Sequence, residues 1–130
     1  MGQISSKLRN LEGGKLAYWC QGCEMLHAVG VGEGPGPRWG FNGNLERPTF
    51  EPSVNTRWDT RSEAARARAE AFKQEHGRHP TLEEVPSDAK HICHTFIRDG
   101  RVQFLGDCTH QFAGQTLDLP DLPTEWRDGS

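Results

Sequence analysis

The stretch HICHTFIRDGRVQFLGDCTH, residues 91–110, decides how this chain folds. Asp99-Gly100 suits a two-residue hairpin turn, in which both central residues take φ > 0. Centred there, Arg98 pairs with Arg101, Ile97 with Val102, Thr95 with Phe104, Cys93 with Gly106 and His91 with Cys108. Paired residues share a face and faces alternate along each strand. Cys93 and Cys108 then fall on one face as diagonal neighbours, with Cα atoms roughly 5.5–8 Å apart. That spacing suits two ligands of one metal, whereas a disulfide is strained at its upper end. The opposite face carries His94 beside Leu105, with Asp107 diagonal to it. A carboxylate so placed fixes the imidazole tautomer and raises its basicity, as in a hydrolytic triad. A bulge would shift one strand by a residue and put the sulfurs on opposite faces.

Far upstream, Cys20-Gln21-Gly22-Cys23 forms a Cys-x-x-Cys knuckle, and these are the other two of the four cysteines in the chain. Two sulfur pairs brought together by a fold make a tetrahedral zinc site, and four protein ligands make it structural. The expected ligands are Cys20, Cys23, Cys93 and Cys108, with His27 or His110 as the variant that replaces one cysteine. Gly22 is expected at φ > 0, turning both sulfurs inward. The competing explanation is four buried thiols. A redox Cys-x-x-Cys lacks the surrounding βαβ pattern. Ser53, in Pro52-Ser53-Val54, is by itself a loop serine bonding its own backbone. His94 and Asp107 likewise have ordinary structural explanations.

The 130 residues suit one domain with a modest core, and 15 glycines and 8 prolines favour a turn-rich fold that gains from a metal clamp. A formal charge of −3 gives no electrostatic footprint for nucleic acid. No apolar run is long enough to span a membrane and no signal peptide is visible, so a reducing cytoplasm is the expected compartment. The opening Met1-Gly2-Gln3-Ile4-Ser5-Ser6 matches an N-myristoylation pattern without a second anchoring signal.

Residues 1–14 read as a loose polar lead-in, Lys15–Trp19 and Leu26–Val31 as strands flanking the knuckle. Trp39, Phe41 and Phe50 read as core, and Asn42-Gly43 as a hairpin turn. The prolines of 48–54 suggest an edge strand or a rigid loop. Ser62–Gln74 is a helix, capped by Ser62 and closed by Gly77, and Thr81-Leu82-Glu83-Glu84 is a capping box. Residues 57–90 thus read as a helical insertion, and 117–130 as an extended tail. The expected class is α+β: a small β-rich domain of antiparallel hairpins clamped by zinc.

The string of motifs resembles a family. Cys20-Gln21-Gly22-Cys23 with His27, Trp39-Gly40-Phe41-Asn42-Gly43, Arg47-Pro48-Thr49-Phe50-Glu51-Pro52-Ser53, Cys93-His94-Thr95-Phe96-Ile97 and Phe104-Leu105-Gly106-Asp107-Cys108-Thr109-His110 occur in that order. Together they resemble small proteins of phages and prophages, similar to the peptidase component of bacterial ubiquitin-like Bub operons. The resemblance implies a zinc-containing domain with peptidase activity on a protein or peptide. It places Cys20, Cys23 and Cys93 at metal-ligand positions, and Ser53 and His94 where the chemistry is expected. The operon proteins tend to carry a Cys-x-Ser-His-Phe pattern, whereas here His94 directly follows Cys93.

The resulting expectation is acyl transfer. Ser53 attacks a carbonyl, His94 takes its proton and Asp107 orients His94, with His110 and His27 in reserve for the base. Two alternatives stand beside it: a zinc hydrolase with a metal-bound water, and a non-catalytic zinc module that binds a host protein.

Overall fold

The computed structural model describes residues 2–127 and divides into two compact units. One comprises Met1–Thr56 with Cys93–Ser130, the other Arg57–Ile92. Among the described residues, eight strands and one α-helix follow one another: β1 (Leu8–Leu11), β2 (Lys15–Cys20), β3 (Met25–Gly30), β4 (Gly40–Phe41), β5 (Phe50–Thr60), α1 (Glu63–His76), β6 (Ala89–Arg98), β7 (Arg101–Phe104) and β8 (Thr116–Asp118). They form a three-stranded sheet, β1-β2-β3, and a five-stranded sheet, β4-β5-β6-β7-β8. The small α+β class read from the sequence is the class observed. Among the described residues, no helix is long and apolar enough to cross a membrane.

The hairpin at 91–110 adopts the register set by its turn, with Thr95↔Phe104, Ile97↔Val102 and Arg98↔Arg101 paired. Asp99 and Gly100 take φ of 50° and 73°, as a type I′ turn requires. A Cβ on Gly100 would also lie 2.9 Å from the Arg47 Cα. The alternation then buries Cys93, Thr95 and Ile97 on β6 against Val102 and Phe104 on β7. Tyr18, Phe50 and Phe104 are the largest fully buried side chains of the core. Each such ring contributes roughly 1.5–3 kcal/mol of transfer free energy.

Beyond Phe104 the outcome differs from the expected pairing. β7 ends there, so Cys93↔Gly106 and His91↔Cys108 do not form as ladder pairs. One bond continues, from the Leu105 N–H to the His94 carbonyl, and the chain then turns, with the Cys108 N–H bonded to the Leu105 carbonyl.

Five further readings are corrected. The lead-in 1–14 contains β1, whose Leu8 is buried and pairs with Tyr18. A four-residue strand is too short to show an alternation that periodicity could detect. Gly22 does not take φ > 0; Glu24 does, at 54°. A Cβ at Gly22 would instead sit 2.3 Å from Cε1 of His110, so the glycine makes room for that ring. Asn42-Gly43 is not a two-residue turn, because the Asn42 and Asn44 side chains accept backbone N–H bonds and build a longer loop to Thr49. The proline-containing segment opens β5, which has β4 on one side and β6 on the other. Pro52 is tolerated because the β4 ladder stops at Glu51. Of the three aromatic residues read as core, Phe50 is buried, while Trp39 and Phe41 are half-buried.

In the unit at 57–92, Ser62 caps α1 by accepting the Ala65 N–H, and Gly77 closes it at φ 71°. Only Ala65 of this helix is buried. Thr81 and Glu84 exchange backbone-to-side-chain bonds as a capping box does. In the tail, Thr116–Asp118 pairs with β7 and Leu119 and Leu122 are buried. Its last residues, 128–130, and Met1 of the myristoylation pattern lie outside the described residues.

Candidate active site and metal centre

β5 and β6 are neighbours in the sheet, and each brings one polar side chain to the same place. The Ser53 hydroxyl lies 2.9 Å from Nε2 of His94, and Nδ1 of the same ring lies 3.1 Å from Oδ2 of Asp107. Asp107 reaches the ring because the turn after β7 folds back toward β6. An ionised carboxylate only accepts, so Nδ1 carries the proton and Nε2 is left to accept from the Ser53 hydroxyl. The His94 side chain is 25% exposed and that of Asp107 45%, so the trio is open to solvent. The Trp39 indole N–H donates to the Ser53 carbonyl at 3.2 Å and fixes the strand at that residue. Serine, histidine and carboxylate in series are the parts of an activated nucleophile.

Back to back with His94 on β6, Cys93 points into the interior. Its sulfur lies 3.7 Å from that of Cys20. One ligand atom each from Cys20, Cys23, His27 and Cys93 lies within 4.8 Å of all the others. The set differs from the expected one in a single member: His27 stands where Cys108 was expected. The knuckle explains this, because Cys20 pairs with Met25 across β2 and β3, and alternation then returns His27 to the cysteine face. That count was available from the sequence once the Cys20↔Met25 pair is assumed.

The donor set suits a metal ion. Three thiols this close cannot all ionise without a cation. Hydrogen bonds from Cys23 and Cys93 pull the Cys20 thiol far below its ordinary value. Cys23, whose proton is shared with Cys20, is pushed up to about 12, and Cys93 is raised for the same reason. His27 is buried, and among the described residues its Nε2 has no hydrogen-bond partner. A buried unpaired nitrogen beside three sulfurs is costly unless a cation takes its lone pair.

Cys108 and His110 form a separate trio with Cys93, their ligand atoms also within 4.8 Å of one another. His110, expected as a reserve base, bonds to groups other than Ser53. Its Nδ1 accepts the Phe112 N–H at 3.2 Å, which puts the ring proton on Nε2, 3.5 Å from the Cys93 sulfur. The ring also stands edge-on to Phe104, with centroids 4.7 Å apart. His27, the other reserve base, is buried beside Cys20, Cys23 and Cys93.

A family model described as the bacterial ubiquitination-like system serine protease (BubE) matches residues 3–105. Ser53, His94 and the Cys20, Cys23, His27, Cys93 cluster lie inside that range; Asp107, Cys108 and His110 follow it. No curated protein and no solved structure matches the chain. The match covers most of the sequence, and the chain belongs to the BubE family of bacterial ubiquitination-like system serine proteases.

Proposed function

We propose that this chain is a peptidase working by acyl transfer, with Ser53 as nucleophile, His94 as general base and acid, and Asp107 as the group that orients His94. The observation that carries it is the 2.9 Å contact between the Ser53 hydroxyl and Nε2 of His94, with Asp107 on the far nitrogen. Ser53 Oγ attacks the scissile carbonyl carbon as its proton passes to Nε2. The resulting imidazolium is stabilised by Asp107, which stays ionised. Collapse of the tetrahedral adduct breaks the C–N bond, and His94 hands its proton to the leaving nitrogen. An ester on Ser53 remains. Water, deprotonated by His94, attacks that ester, and the proton returns to Ser53 Oγ.

Cys20, Cys23, His27 and Cys93 would hold zinc, because three thiolates and an imidazole are its characteristic ligands. Bound there, the ion would supply a cross-link between β2, β3 and β6. Four protein ligands leave no position for a water, which disfavours the zinc-hydrolase alternative. The strand that carries Cys93 carries His94 next to it, so the cluster anchors the base.

The substrate class is a protein or peptide, and the family description points to a ubiquitin-like protein. The test is incubation of the zinc-loaded protein with a ubiquitin-fold protein carrying a C-terminal extension, followed by mass spectrometry. Cleavage that Ser53→Ala abolishes is the expected result. Cleavage that survives in Ser53→Ala would reject the serine mechanism, and a stable complex without cleavage would favour the binding module.

A further inference from the structure

Cys108 is the buried thiol that neither the serine trio nor the Cys20, Cys23, His27, Cys93 cluster uses. Its sulfur accepts the His94 backbone N–H at 3.3 Å and donates to the His94 carbonyl at 3.3 Å. Both bonds go to one residue, and it is the residue whose ring joins Ser53 to Asp107. The reason lies in how β7 ends. In an antiparallel ladder, His94 and Leu105 would exchange two backbone bonds. Only the bond from the Leu105 N–H to the His94 carbonyl forms, at 2.9 Å; the Leu105 carbonyl instead takes the Cys108 N–H, closing the turn at 3.1 Å. The His94 N–H is thereby left without its ladder partner, and the Cys108 thiol supplies one.

We propose that Cys108 is a positioning residue of the catalytic site: its thiol fastens the His94 main chain while the adjoining Asp107 holds the His94 ring. This rests on the serine-peptidase reading above. The turn 105–108 then grips His94 at both ends, the carboxylate on Nδ1 and the sulfur on the backbone. With the His94 N–H as its donor and the His94 carbonyl as its acceptor, the Cys108 sulfur is engaged by the main chain of β6. The neighbouring His110 is engaged too, since the proton on its Nε2 faces the Cys93 sulfur as a donor and leaves no lone pair there for a second ion. Ser and Cys side chains both donate and accept, while Ala does neither.

The experiment compares wild type, Cys108→Ser, Cys108→Ala and Ser53→Ala, all zinc-loaded, by the second-order rate at which a fluorophosphonate labels Ser53. Small displacements of a catalytic group cost about 10²-fold. Cys108→Ala is expected to label roughly tenfold to a hundredfold more slowly, and Cys108→Ser to recover most of the loss. Cobalt-substituted Cys108→Ala should keep the wild-type sulfur-to-cobalt charge-transfer intensity, whereas Cys23→Ser should lose part of it. Where wild type is labelled, an equal rate for Cys108→Ala would overturn the proposal, as would a weakened cobalt band in Cys108→Ala. Hydrogen exchange at the His94 amide separates this proposal from the serine mechanism. If wild type is not labelled at Ser53, the serine mechanism fails. Exchange that is slow in wild type and Cys108→Ser but fast in Cys108→Ala still supports the thiol clamp, and identical exchange in all three overturns it.

Discussion

At the scale of single residues, the site depends on a proton held at one ring nitrogen. The Asp107 carboxylate keeps the proton of His94 on Nδ1 and so leaves Nε2 free for the Ser53 hydroxyl. Asp107→Asn keeps the shape but can offer its amide N–H to Nδ1, which stabilises the wrong tautomer. The same substitution in a serine protease triad lowers turnover by about 10⁴-fold. Asp107 is partly solvated, so the expected loss in kcat here is on the order of 10²–10⁴-fold, with KM little changed. Steady-state kinetics on a cleaved substrate would check this, and a loss confined to KM would contradict it. The sequence pointed to His94 and Asp107 as partners, but by continuing the ladder past Phe104; in the structure β7 ends there and the turn that follows brings Asp107 to the ring. The partnership with Ser53 was not legible from strand pairing, since a contact between residues 53 and 94 depends on which strands become neighbours. Nothing in periodicity encodes that choice; only the family resemblance pointed to Ser53.

At the scale of elements, the 91–110 hairpin is held by its turn. Gly100 sits at φ 73° with the Arg47 Cα close to where a side chain would begin. Gly100→Ala is expected to cost about 1–2 kcal/mol from the left-handed conformation alone, and more from the collision. Urea unfolding would measure it, and an unchanged midpoint would contradict the assigned turn. The end of this hairpin was the part sequence could not give. Alternation continues through Gly106, but the chain leaves the ladder after Phe104, and Cys108 therefore meets the His94 backbone instead of the Cys20-Cys23 knuckle. His27 takes the vacant place in the cluster by the ordinary alternation of β3.

The helical element makes a prediction in pH. The Ser62 N–H and hydroxyl both donate to the Asp88 carboxylate and hold it below the usual aspartate value. A depressed value in the folded state means that this contribution is fully present above the unfolded value of about 3.9. It is lost as the pH falls through the lower, folded value. Far-ultraviolet circular dichroism should therefore show α1 loosening in that acidic window. Asp88→Asn should be less helical than wild type at neutral pH and insensitive across the same window; an identical titration would contradict the assignment.

At the scale of the whole molecule, a modest core is joined to a cluster of three cysteines and a histidine that ties together β2, β3 and β6. The class of fold was readable because each hairpin is local: a knuckle with flanking strands, then a turn dipeptide between alternating runs. β1 escaped notice because only Leu8 and Leu11 mark it. The metal account predicts one zinc per chain by elemental analysis. Removal by a strong chelator should lower Tm by several degrees or more, since one kcal/mol already shifts Tm by roughly 3–6 °C at this size. Cys23→Ser should behave like the chelated protein. A stoichiometric zinc content in Cys23→Ser with wild-type Tm would reject the cluster.

The central claim, that Ser53 is a nucleophile activated by His94, is tested most directly by treating the zinc-loaded protein with a fluorophosphonate and mapping the adduct by mass spectrometry. The account predicts a single phosphonylated residue, Ser53, with labelling abolished in Ser53→Ala and reduced by orders of magnitude in His94→Ala. A folded, zinc-loaded protein that remains unlabelled, or that labels equally well without His94, would contradict it.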